Sequence, residues 1–139
     1  MAVAMKNTDL KFRRLPGLFA VSRLSADAPI PAWALTGPFA SITRNEDELS
    51  IVCPAENVPA ETKSQAHWTC FKLEGPFAFT QTGILASFIN PLSQNKVPIF
   101  ALSTFDTDYV LVPEDSSRAA EEYLQKAGHE QLSDESAAR

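Results

Sequence analysis

Apolar and polar positions alternate along this chain in a pattern that occurs twice. Residues 39–54 read FASITRNEDELSIVCP and residues 100–113 read FALSTFDTDYVLVP. Each contains an apolar strand, an acidic turn, a second apolar strand and a closing proline, and such a recurrence predicts a duplicated small unit. Ahead of the first copy, LFAVSRL at 18–24 alternates between turn signals at Pro16-Gly17 and Asp27-Ala28-Pro29, which predicts a strand. The stretch PIPAWAL at 29–35 holds Pro29 and Pro31, which fix the backbone angle and remove amide donors. A long helix is excluded there, and a short turn carries Trp33. Strands at 39–43 and 49–53 are then joined through Arg44, Asn45, Glu46, Asp47 and Glu48, polar residues suited to an exposed hairpin. Residues 59–65 are expected to make a short helix with Pro59 in its first turn.

The second half begins with a strand, WTCFKL at 68–73, followed by a loop rich in aromatics and hydroxyls. Gly83 then opens a helix in which Ile84, Leu85, Phe88, Ile89 and Leu92 fall on one stripe at helical period. That stripe requires a sheet to pack on, and Pro91 predicts a kink or tightening near the helix end. Phe77, Phe79, Phe88 and Phe100 are expected in the core. Strands at 97–104 and 109–112 flank the turn Phe105-Asp106-Thr107-Asp108. Ser116 or Asp115 caps a last helix running to about Ala127, where Gly128 ends it. The order of elements predicts an α+β protein of two tandem halves, each a ferredoxin-like βαββ unit with a mostly antiparallel sheet and helices on one face. The expected boundaries are an N-terminal extension at 1–14, a first half with a reduced helix at 15–66, a second half at 67–128 and a polar tail at 129–139.

Composition narrows the functional classes. The 139 residues are 45% hydrophobic and 21% charged, with ten prolines and five glycines, as in a folded globular chain. Of the formal charge of −5, the residues from Glu114 onward carry seven acids against three bases, or −4. The rest is nearly neutral, which gives neither nucleic acid nor an anionic membrane an electrostatic reason to bind. Without an apolar run near ~20 residues or an apolar signal core in MAVAMKNTDLKFRR, the expected location is cytoplasmic. Cys53 and Cys70 form no CxxC pair and read as buried free thiols, and His67 and His129 stand apart from any metal-ligand spacing. No cofactor or metal is expected. Asp106 and Asp108 could be imagined as an acid/base pair, but no nucleophile or histidine accompanies them, so no enzyme activity is expected.

Thr82-Gly83-Ile84-Leu85, followed by Pro91-Leu92 and PIFALSTFDTDYVLV at 98–112, resembles the ACT domain, in the branch that includes the CASTOR arginine sensors and small bacterial tandem-ACT proteins. The resemblance covers roughly residues 15–127 and is most specific at Ser103, Thr104, Phe105 and Asp108. It implies a non-catalytic regulatory module that binds an amino acid or similar small ligand, usually across an interface, and hence a homodimer. In the sensors the positions resembling Thr104, Phe105 and Asp108 line the pocket. Thr107 and Gln81 depart from the sensors' pattern at positions where they carry an aromatic and an acid, which turns the expectation away from arginine itself.

The chemistry of the residues supports such a site. The loop Thr80, Gln81, Thr82 and Gly83 enters a helix whose first amides, around Ile84 and Leu85, have no intrahelical partner and favour a carboxylate. Opposite, Ser103, Thr104 and Phe105 offer backbone groups, hydroxyls and an aromatic wall, and Asp106 and Asp108 offer carboxylates for an ammonium or guanidinium. Taken alone, the same four residues from Phe105 to Asp108 also suit a plain hairpin turn. The alternative function is thus an ACT-like protein–protein interaction module that holds no ligand.

Overall fold

A computed structural model describes residues 9–78 and 80–133. Phe79, most of the expected N-terminal extension (1–8) and the end of the expected tail (134–139) lie outside them. The described chain divides into two compact units, one comprising Pro16–Trp68 and the other the remainder.

In the first-half unit, β2 (Phe19–Leu24), β3 (Ser41–Arg44), β4 (Leu49–Pro54) and the start of β5 (Ser64–Leu73) pair in the order β3-β4-β2-β5, every pairing antiparallel. Leu49, Ile51 and Cys53 are fully buried at every second position of β4, the period at which a strand shows one face. They pack with Ala34 of a single 3-10 turn at Ala32–Leu35 and with Trp33, Leu24, Ile42 and Val58. Pro29 and Pro31 leave room for this turn but not for a helix, as the sequence requires. The β3–β4 hairpin closes on Asn45, whose Oδ1 accepts the amides of Asp47 at 2.8 Å and Glu48 at 2.9 Å. An asparagine side chain that mimics a turn carbonyl in this way stabilises the reversal locally.

One expected element is absent. Residues 59–65 do not form a helix: Thr62 N–H reaches Pro59 O at 3.0 Å to make a single turn, and β5 already starts at Ser64. Ser64 and Gln65 pair with Ser22 and Val21 of β2, so the sheet ladder takes the amides a helix would have used. These residues are exposed and polar, without the apolar alternation by which a strand is recognised.

The second unit contains β1 (Lys11–Arg14), the end of β5, α1 (Ile84–Gln94), β6 (Phe100–Ser103), β7 (Asp108–Pro113), α2 (Ser117–Lys126) and β8 (Glu130–Gln131). β6 and β7 form an antiparallel hairpin, β7 pairs β5, and β5 pairs β1 antiparallel with Phe12 opposite Leu73. β1 and β8 lie parallel. Part of the expected N-terminal extension is therefore strand β1, and the expected tail contributes β8. Alternate strand positions Phe12, Phe71, Leu73, Val110 and Val112 meet Ile84, Phe88 and Leu92 of α1 and Ala120 and Leu124 of α2 in one core, with both helices on that face of the sheet. Phe12 sits edge-on to Phe71 at 5.5 Å and to Phe88 at 5.2 Å between ring centres. Burying a side chain of this size contributes ~1.5–3 kcal/mol, so the helical stripe is what holds α1 to the sheet. Of the aromatics expected in the core, Phe88 is fully buried and Phe77 and Phe100 are half-buried.

Both helices end in the same way. Val97 N–H bonds Leu92 O and Lys96 N–H bonds Ser93 O, each at 3.0 Å, while His129 N–H bonds Leu124 O at 3.1 Å and Gly128 N–H bonds Gln125 O at 3.0 Å. This is the Schellman arrangement, which needs a left-handed residue, supplied by Gly128 at φ +104° and by Lys96 at φ +61°. Val97 therefore belongs to the end of α1 rather than to the strand expected at 97–104, and β6 begins only at Phe100. At its start α2 follows a 3-10 turn at Glu114–Ser116, and no side chain caps it, neither Ser116 nor Asp115.

Pro91 lies inside α1 and cannot donate to Ser87 O four residues back. The freed carbonyl is taken by His129, whose Nε2 lies 2.9 Å from it, while Nδ1 accepts Leu10 N–H at 3.1 Å. Since Nδ1 accepts, Nε2 carries the hydrogen and donates.

Candidate functional site

The second hairpin turn is built from its own hydroxyls. Thr104 N–H and Oγ1 both donate to Thr107 O, at 2.8 and 3.1 Å, and Ser103 Oγ donates to Asp108 Oδ1 at 2.5 Å. Thr107, buried, donates through Oγ1 to Leu73 O at 2.7 Å, which fastens the turn to the end of β5. On the neighbouring loop Phe77 N–H reaches Asp106 O at 2.9 Å. The loop passes so close that a Cβ on Gly75 would lie 2.8 Å from that carbonyl, which only glycine tolerates. The loop then turns on Gln81, whose Oε1 accepts Ala78 N–H at 2.9 Å.

Between turn and loop lies a hollow of about 200 Å³ lined by Gln81 and Ile84 on one side and by Ser103, Thr104, Phe105, Asp106 and Asp108 on the other. Thr80, Thr82, Gly83 and Leu85 are not among its lining residues. Phe77, Ala78 and Thr107 are, although the sequence singled out none of them as ligand contacts. Phe77 read as a core aromatic, and Thr107 only as a departure from a pattern. Asp106 and Asp108 give the hollow two carboxylates, and no lysine or arginine lines it. Next to the lining residue Ile84, Gly83, left-handed at φ +78°, starts α1 without a side-chain cap. Ser87 N–H to Gly83 O, 3.0 Å, is the first bond of the helix, so the amides of Ile84, Leu85 and Ala86 precede the ladder. Such an end carries partial positive charge. The hollow thus sets carboxylates against a helix start, an arrangement that can hold a zwitterion by both ends.

The thiols are chemically quiet. Burial pushes Cys53 and Cys70 above their ordinary value of 9.0, which keeps both protonated and weakly nucleophilic. Burial, with Cys70 and Glu74 nearby, also pushes Tyr109 up. Among the described residues there is no cluster of three potential metal ligands, and no helix is long and apolar enough to cross a membrane.

Comparison with known proteins identifies this architecture. The family model described as an ACT domain matches residues 63–126, and a separate model of an N-terminal domain matches residues 17–61. The cytosolic arginine sensor for mTORC1 subunit 1 of Mus musculus is 31% identical over 104 residues, which are 69% of this chain and 31% of that protein. Its Homo sapiens counterpart is 33% identical over 89 residues, 58% of this chain and 27% of that one. The chain therefore spans about a third of the length of these curated relatives or less. A crystal structure of a protein from Agobacterium tumefaciens is 47% identical, with a TM-score of 0.85 over 89% of this chain and 92% of that one. The ligand-free regulatory subunit of aspartate kinase from Thermus thermophilus, 10% identical, shares the fold with a TM-score of 0.56 over 80% of this chain and 93% of that one. The α+β architecture with helices on one sheet face and these matches agree: the chain belongs to the ACT domain family, with relatives among the cytosolic arginine sensors.

Proposed function

We propose that this chain is a non-catalytic regulatory protein that binds a free amino acid between the α1 start, residues 80–85, and the turn from Thr104 to Asp108. The observation that carries this reading is the hollow's pairing of two carboxylates with an uncapped helix start, without a cationic side chain in its lining. The ligand ammonium sits against Asp108 and Asp106, and its carboxylate against the start of α1 at Ile84, the helix residue that lines the hollow. In this reading the chain is two ACT-like halves, 15–66 and 67–128, acting as a cytoplasmic homodimer, and the similarity to arginine sensors supports the ligand class. A panel of free amino acids in a thermal-shift assay tests it. A ligand at 100 times its Kd adds ~2.7 kcal/mol to stability, and Asp108→Asn removes that gain while leaving the unliganded protein folded. No shift with any amino acid, in protein shown to be folded, overturns the reading.

Phe105 favours a second reading. It is 78% exposed at the tip of the turn, an unusual position for a phenylalanine. Under that reading the turn docks a protein partner or a second copy, and Phe105→Ser changes assembly without altering any ligand response.

A further inference from the structure

The first-half unit contains a cavity of about 680 Å³, larger than the hollow of the second unit and within the range of small-molecule sites. Three chain segments and one strand residue form it: 16–18, 36–38, 54–57 and His67. The segments are fastened to one another. Ala55 N–H donates to Leu18 O at 2.9 Å, and Asn57 Nδ2 donates to Thr36 Oγ1 at 2.9 Å and to Thr36 O at 3.3 Å. Gly37, at φ +108°, presses against Pro54 so closely that a Cβ there would lie 2.5 Å from the proline ring. With Pro16, Pro38 and Pro54 also in the walls, the backbone around the cavity has little freedom left to lose on binding.

The lining is chemically one-sided. Prolines, Leu18 and Ala55 make an apolar body, and Asn57 is already committed to Thr36. Two polar groups have no partner among the described residues, the Glu56 carboxylate and the His67 imidazole, and no lysine or arginine lines the space. We infer that this cavity is a second small-molecule site, for a compact apolar amine whose ammonium meets Glu56 while its hydrocarbon part rests on the prolines and Leu18. A carboxylate or phosphate ligand meets the like charge of Glu56 and no lysine or arginine, whereas an amine finds both a counter-charge and an apolar surface. Glu56 is exposed, so its attraction is worth a modest factor and not the full strength of a buried pair.

The site is tested by amide NMR of the intact protein with cyclohexylamine as probe and cyclohexanecarboxylate as its anionic counterpart. The expected result is saturable shifts at Gly37, Asn57 and His67 with the amine and at least fivefold weaker binding of the acid. Glu56→Gln should weaken the amine about fivefold, and Ala55→Met, which fills the space, should abolish its shifts. Equal response to amine and acid, indifference to both substitutions, no shift at all, or shifts confined to residues 103–108 each overturns the inference. The last outcome, read beside the amino-acid panel, separates a failure of this site from a failure of the site at the second hairpin.

Discussion

The two hairpins are copies in pattern and differ in what faces them. In the first, Asn45 satisfies the turn amides with its side chain, and Glu46 and Asp47 stand exposed in solvent. In the second, Thr104 and Ser103 organise the turn, and Asp106 and Asp108 border a hollow that also meets the start of α1. Pro29 and Pro31 reduce the corresponding region of the first half to one 3-10 turn. An acidic hairpin becomes a candidate site only when a helix presents its uncapped end to it. Acidity alone distinguishes nothing, since the first turn is the more acidic of the two.

The comparison is broken most severely by loosening α1. His129→Leu leaves the Leu10 amide and the Ser87 carbonyl without their buried partners, and it should cost about 3 kcal/mol in chemical denaturation. The amino-acid response should fall with it, whereas probe binding to the cavity lined by Pro54 and Glu56 should not. A smaller effect distinguishes the thiols. A group whose proton is held more tightly in the folded state loses its stabilising contribution as pH rises above the unfolded value, so stability should decline above about pH 9, the ordinary thiol value. One such group contributes a slope of at most about 1.4 kcal/mol per pH unit. Cys70 is the more deeply enclosed, so Cys70→Ala should flatten the alkaline decline more than Cys53→Ala does, as read from urea midpoints between pH 8 and 10.5. The smallest effect compares the two helix ends. Lys96→Gly places in α1 the residue α2 already has at Gly128 and should raise stability by about 1 kcal/mol, whereas loss of stability would show that the lysine side chain contributes more than its strain costs.

Much of this was legible from residue pattern. The β3–β4 and β6–β7 hairpins announce themselves by apolar alternation around acidic turns, α1 by its stripe and α2 by Gly128. What escaped was set by pairing rather than by burial. Ser64 and Gln65 are exposed and polar, yet β2 recruits them into a strand. Lys11–Arg14 carries one deeply buried residue, Phe12, too little periodicity to read as a strand, and its partners lie about sixty residues away in β5 and about 120 away in β8. Val97 looked like the first residue of a strand because it is β-branched, and helix-end geometry claimed it instead. At the candidate site, hydroxyls and aspartates at 103–108 could be named from their types. The contribution of Ala78 could not, because it depends on a loop folding back at Gly75 to within contact of Asp106 O.

Pro91 and His129 form one functional unit despite their distance in the chain. The proline makes a permanent acceptor of Ser87 O, and the imidazole is its supplied donor. The two exchanges are not equivalent: a histidine lost while the proline remains strands a carbonyl, whereas a proline replaced by alanine returns a helix donor to it. The cost of changing either residue is therefore conditional on the other, and the two positions form a single heritable joint between the end of α2 and the middle of α1.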